Sequence, residues 1–243
     1  MWLKAELHVH TVLSACADWE MTPRNIIRRA KEVGVKVVAI TDHNTAKNVR
    51  PCVKIGEKEG ILVVPGIEVQ TKEEVHMVCL FPSEETAIGF ENWLQKFLPN
   101  LTNNEEIFGD QVVVDEDDNV IEIDKRLLQV SANVSIESVV EKVIEFKGVA
   151  YPAHVNREYC GIIPVLGFIP PNLPFKVAEI SSSMNVSSFL KEHPELGDYV
   201  LIVSSDAHFL SSIGKSRTLV NLDKLRTDNL LEAIQDKRRV KIW

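Results

Sequence analysis

Six of the seven histidines fall at or near the C-terminal ends of predicted strands: His8, His10, His43, His76, His154 and His208, with only His193 elsewhere. Carboxylates accompany them. Asp42 precedes His43, Glu68 comes near the end of the run from 61 to 69, and Asp206 lies two residues before His208. In an extended chain residues i and i+2 face the same side, about 6.6 to 7 Å apart, so His8 and His10 can reach one ion, and Asp206 and His208 set a carboxylate and an imidazole on one face. Neighbouring residues face opposite ways. Of Asp42 and His43 the imidazole is therefore the candidate ligand, with Asp42 orienting it from behind. So many imidazoles and carboxylates at one mouth would be costly in desolvation and like-charge repulsion, and divalent cations offset both. Nitrogen and oxygen donors without thiolates suit zinc, manganese or iron, and they are too many for one tetrahedral ion.

The elements that must position these groups follow from the pattern around them. Runs of Val, Ile and Leu alternate with amphipathic stretches, as in βα units around a mostly parallel sheet, whose strand C-termini converge on one face. Strands are predicted over 3–9, 35–41, 61–69, 75–81, 148–153, 176–181, 199–204 and 217–221, eight in all. Helices are predicted over 23–33, with Thr22 as cap and Pro23 in the first turn, and over 46–59, 84–97 and 135–147. Between 83 and 147 the rhythm breaks into Pro99, the Asn-rich stretch 101–104 and a hairpin-like pair, 111–114 and 120–123, about the polar turn 115–119. Residues 1–82 and 148–243 are thus expected to form the barrel, and 83–147 an inserted small α+β subdomain or lid. The stretch Gly161–Pro174 carries four prolines and reads as a long loop over one face.

Composition sets outer bounds. The 243 residues are 45% apolar and 26% charged, enough for a sizeable core without a structural metal, so a metal here implies chemistry. Lys plus Arg number 27 against 35 Asp plus Glu, for a net charge of −8, and apart from Lys237–Arg239 the cations are scattered. Nucleic acid is on this ground an unlikely partner. The four cysteines are far apart and lack CxxC spacing, which fits reduced thiols better than a zinc finger. No apolar leader and no long apolar segment is present, so the expectation is a soluble, cytoplasmic protein with no membrane partner.

The motifs Glu6-Leu7-His8-Val9-His10-Thr11, Ile40-Thr41-Asp42-His43-Asn44, Gly66-Ile67-Glu68, His76, Pro152-Ala153-His154 and Ser204-Ser205-Asp206-Ala207-His208 are similar, in order and position, to those of a known family. Together they resemble the PHP (polymerase and histidinol phosphatase) family of metal-dependent phosphoesterases. The resemblance implies an α/β fold, a distorted (β/α)7 barrel that is TIM-barrel-like, with one strand fewer than counted above. It also implies two or three divalent ions at the mouth. His8, His10, Glu68 and Asp206 would hold the first, Glu68 with His76 and His154 the second, and Asp18, His43 and His208 the third. The Asp18 assignment follows from Ser14–Asp18 and Met21-Thr22-Pro23, which resemble the variant that ligates through Asp at this position.

A water held between two such ions becomes a nucleophile, and the same ions neutralise phosphate oxygens. Asp206 is then also a candidate proton acceptor. Arg157, three residues after His154, is a candidate catalytic and substrate-binding residue whose paired donors can clamp a phosphate. The expected activity is that of a phosphomonoesterase acting on a small phosphorylated metabolite or nucleotide. Alternatives are a single-strand 3′ exonuclease-type phosphodiesterase, a non-catalytic metal-stabilised module and a C–N hydrolase. Arg157, and the lack of a lysine suited to carboxylation at a strand end, favour phosphate.

Overall fold

A computed structural model describes all 243 residues. The chain begins β1 (Trp2–Val9), α1 (Pro23–Glu32), β2 (Val35–Ile40), α2 (Val49–Glu59), β3 (Leu62–Gln70) and β4 (His76–Leu80). It continues α3 (Glu84–Leu94), α4 (Glu105–Phe108), β5 (Val112–Val114), β6 (Val120–Ile123), α5 (Ile136–Glu145) and β7 (Val149–Pro152). It ends α6 (Ile162–Leu166), β8 (Val177–Ser181), α7 (Val186–Glu192), β9 (Val200–Ser204), β10 (Thr218–Asn221), α8 (Thr227–Ala233) and β11 (Val240–Ile242). Helix starts follow local chemistry. Thr22 accepts the Asn25 N–H ahead of Pro23, and Ser83 and Thr86 cap α3 reciprocally.

The largest sheet runs β11-β10-β1-β2-β3-β4-β7, and β8 and β9 pair separately. The pair closes the gap in the wall. Val155 N–H donates to the Glu179 carbonyl at 2.8 Å on the β7 side. On the other side Val9 bridges Ala207 in parallel, with His10 N–H on the Ala207 carbonyl at 3.0 Å. The wall is therefore β1, β2, β3, β4, β7, β8 and β9, seven strands. The count of eight included 217–221, which lies outside this ring as β10, antiparallel to the first half of β1. It carries in turn β11, three residues long and too short to be visible as a pattern.

Strand direction departs from the expectation at β4. The turn at 71–75 reverses the chain, so β4 runs antiparallel to both β3 and β7. His76 consequently opens its strand instead of closing it. It still reaches the common mouth, because it pairs with Gln70 at the end of β3.

Inward-facing residues such as Leu7, Val37, Val64, Val78, Tyr151, Val177 and Ile202 fill the barrel, with Leu230 and Ile234 of the α8 region in the same cluster. A second, larger core lies between wall and helices and contains Val9, Ile27, Ile40 and Val140. In β1 the register slips between Glu6 and Val9. Leu7 thus packs inside while Val9 packs outside, and His8 and His10 turn toward the mouth. The antiparallel β5–β6 pair is tied to the barrel by Val112 N–H on the Val12 carbonyl and by the Asn48 side chain on Val112 and Val114. The stretch after Gly161 contains one short helix, α6, which the sequence pattern did not signal. No helix is long and apolar enough to cross a membrane.

Candidate metal centre

Glu68 is the hub of the mouth. A Cβ at Gly66 would meet Thr41 Cγ2 at 2.8 Å and the Ile40 carbonyl at 2.9 Å, so the glycine allows β2 and β3 to approach closely. Beyond it His43 and Glu68 form a parallel bridge. Glu68 Oε1 lies 2.9 Å from His76 Nδ1 and 3.2 Å from both His8 Nε2 and His154 Nε2. Its Oε2 lies 3.1 Å from His43 Nδ1 and 3.3 Å from His10 Nε2. Oε1 thus faces His8, His76 and His154 and Oε2 faces His10 and His43, which sets the carboxylate at the centre of the imidazole cluster.

Asp206 Oδ1 completes the group, 3.1 and 3.3 Å from the Nε2 atoms of His10 and His8, yet it has no hydrogen-bond partner. His208 joins His10 and His43, its ring stacked 4.2 Å from that of His10. Ligands bound at about 2.0 to 2.1 Å sit about 2.9 to 3.4 Å apart along the edges of octahedral and tetrahedral shells. The observed spacing, together with an orphaned carboxylate oxygen, fits groups aimed at shared ions. All the candidate ligands except Asp18 converge in this way. The Asp18 carboxylate instead accepts the Glu20 N–H at 2.8 Å, while its own N–H binds the His208 carbonyl.

Buried carboxylates set the ligands' orientation. Glu179, fully buried in β8, accepts a hydrogen bond from His8 Nδ1 at 3.0 and 3.2 Å and also accepts the His154 N–H. Asp42 accepts from Thr11 and from Ser14 Oγ, and Ser14 Oγ in turn meets His10 Nδ1 at 2.9 Å. Asp42 therefore steers His10 through Ser14, where the sequence had suggested His43. The reason is that the β1 segment folds over Asp42. Glu6, also buried, holds the segment carrying Asp206 by accepting from Ser205, Gly214 and Ser216. Asp206 at φ 49°, His154 at φ 27° and Asn44 at φ 54° adopt backbone conformations that side chains seldom take, concentrated here at one site.

The electrostatics fit the same reading. Burial disfavours charge on every imidazole, and it holds His43 and His208 at about 4, neutral and ready to donate a lone pair. At His76 burial is overcome by Glu68, and the pKa rises to about 10. His8 and His10 are likewise raised against burial by Glu68, Asp206 and, for His8, Glu179. Glu68 and Asp206 stay ionised despite burial because these imidazoles surround them. The imidazoles and carboxylates thus stabilise one another's charge in a dry site, as a bound cation would stabilise the carboxylates.

At the rim Arg157 binds Asp206 Oδ2 at 2.5 Å. The two line a wholly polar cavity of about 250 Å³ with Asn156, Ser181, Ser182, Ser183, Ser204 and Ser205. Three residues of the site escaped the sequence reading. Glu179 and Glu6 are single acidic residues within apolar strands, a weak signal but a real one. Cys160 gave none. Its sulfur lies with imidazole nitrogens of His76 and His154, all within 4.8 Å of one another.

Comparison with known proteins agrees with this geometry. The family model of the PHP domain matches residues 6–137, and that of a PHP-associated segment matches 199–238. An uncharacterized protein of Methanocaldococcus jannaschii, MJ1587, is 38% identical over 95 residues, covering 36% of this chain and 55% of that protein. The 5'-3' exoribonuclease Rnm of Escherichia coli is 35% identical over 80 residues, covering 31% of this chain and 26% of Rnm. The chain thus spans about half or less of these relatives' length. The lesion-specific endonuclease EndoQ of Pyrococcus furiosus has the same fold, with TM-score 0.70 at 17% identity over 100% of this chain and 58% of that one. A further endonuclease Q structure, in complex with a 27-mer duplex substrate, superposes with TM-score 0.68 at 18% identity over the same shares.

These findings overturn the expectation that nucleic acid is an unlikely partner. Net charge is a sum over the whole surface, whereas a phosphate at a metal mouth meets a local field.

Proposed function

Since this chain belongs to the PHP family of metal-dependent phosphoesterases, we propose that it hydrolyses phosphodiester bonds in nucleic acid, with bases held at an aromatic rim around the mouth. The observation that carries this reading is three exposed aromatic residues that stand next in sequence to residues of the site. Trp19 is 64% exposed and follows Asp18, Phe209 is 54% exposed and follows His208, and Tyr159 is 77% exposed two residues after Arg157. The Asp18–His208 backbone hydrogen bond brings the first two segments together. Isolated exposed aromatics need no explanation, but three adjoining site residues in the chain suit base stacking, which tolerates any sequence.

In this reading His8, His10, Asp206 and Glu68 would hold one ion and His76 and His154, sharing Glu68, a second, while His43 and His208 would be available to a third. Such ions, when bound, generate a nucleophile from water near neutral pH and neutralise the phosphate. Arg157 leaves Asp206 Oδ2 to fork onto two phosphate oxygens, and the freed carboxylate oxygen can take a proton. The serine hydroxyls and Asn156 receive a neighbouring phosphate.

The test uses the metal-loaded chain, end-labelled single-stranded RNA and DNA, and a small chromogenic phosphodiester. Trp19→Ala, Phe209→Ala and Tyr159→Ala should each raise KM for oligonucleotides by roughly 5- to 100-fold, the scale of one lost stacking contact. Turnover of the small diester should hold. Absence of oligonucleotide cleavage, or unchanged KM in all three variants, rejects the proposal.

A further inference from the structure

The mouth holds one donor that the ligand set above does not use. We propose that Cys160 supplies a sulfur ligand to an ion held with His76 and His154, and so selects zinc there over manganese. The proposal rests on reading the mouth as a metal centre.

Three features support it independently of the thiol's identity. The turn from His154 to Gly161 is locked: Arg157 N–H binds the His154 carbonyl at 2.8 Å, and His76 N–H binds the Cys160 carbonyl at 2.9 Å. A Cβ at Gly161 would sit 2.5 Å from the Arg157 carbonyl and 2.9 Å from that of His154, so the turn closes only over a glycine. Cys160 itself is held at φ 58°, in the left-handed region, the conformation that carries its sulfur back to the two imidazoles. Finally, His154 Nδ1, the ring nitrogen that does not face Glu68, is buried with no partner in the protein.

The consequence is a mixed set of two nitrogens and one sulfur. Coordination exchanges the thiol proton for the metal and releases that proton to solvent. Thiolate favours zinc over the harder manganese, which prefers oxygen donors. Cys16 is the other thiol near the mouth, 3.4 Å from His43 Nε2, but it falls within none of the ligand clusters.

Cobalt(II) reports both the centre and the sulfur. Loading the metal-free full chain with cobalt should give d–d bands, which register binding, and a near-ultraviolet sulfur-to-cobalt charge-transfer band, which registers Cys160. Cys160→Ser should keep the d–d bands and lose the charge-transfer band, while Cys16→Ser keeps both. In competition, Cys160→Ser should lose zinc-over-manganese preference by about tenfold or more, the scale on which metal sites respond to lost support. Cobalt bound with no charge-transfer band, or a band removed by Cys16→Ser and not by Cys160→Ser, overturns the proposal alone. Absence of any cobalt binding overturns it together with the metal centre.

Discussion

Glu179→Gln tests whether the mouth is organised from behind, because the change is isosteric and touches no candidate ligand atom. In the parent, both carboxylate oxygens lie within 3.0 and 3.2 Å of His8 Nδ1, and Oε1 also accepts the His154 N–H at 3.1 Å. An acceptor-only group on Nδ1 forces the proton there and leaves Nε2, the atom facing Glu68 and Asp206, as a lone-pair donor. A glutamine can still take the His154 N–H through its oxygen. Its NH2 group, however, stabilises the opposite His8 tautomer, in which Nε2 carries the proton and cannot ligate. The lost interaction is one charge-assisted hydrogen bond, about 1.5 to 3 kcal/mol, or roughly 10- to 100-fold in metal affinity. Zinc affinity measured near neutral pH by competition with a chromophoric chelator should fall by that amount, with the far-ultraviolet spectrum unchanged. An affinity equal to the parent's would refute the reasoning and make Glu179 a packing residue.

Other substitutions probe other parts of the site. Glu68→Gln should be the most damaging ligand change, since a neutral amide cannot bridge two cations; elemental analysis should show less than the parent's metal content, and full content would reject bridging. Arg157→Ala should lower kcat/KM on an oligonucleotide roughly 10- to 100-fold at unchanged metal content, with Arg157→Lys recovering only part, because Lys lacks the fork; parental kinetics would leave Arg157 as a partner of Asp206 only. Away from the mouth, Asp124 is held at about 2, because Arg126 and Lys47 outweigh its burial. A depressed carboxylate stabilises the fold above its unfolded pKa, about 3.9, and loses that contribution as pH falls toward 2. The stability difference between parent and Asp124→Asn in urea should therefore shrink between pH 5 and 2, and a constant difference would contradict the pairing.

Local chemistry was legible in the sequence wherever the signal repeats over neighbouring residues. The His8–His10 and Asp206–His208 spacings, the capped start of α1 and the hairpin about 115–119 all depend on side chains a few positions apart, and period and capping record such relations. The seven-stranded barrel came from resemblance, since the pattern alone counts 217–221 as an equal strand and cannot see that it pairs outside the ring. The direction of β4 was hidden for the same reason: a strand's polarity belongs to its partner. Glu179 and Cys160 were single residues with no local pattern, and Glu6 stood in the His8–His10 motif without a role; they acquire one only when β8, the 204–216 segment and the 154–161 turn meet β1 and β4. Whole-chain charge likewise misjudged the partner, because the mouth gathers its imidazoles, Arg157 and exposed aromatics from segments up to two hundred residues apart. Which groups share a few ångströms is decided by closure of the barrel, and desolvation there turns ordinary side chains into a site.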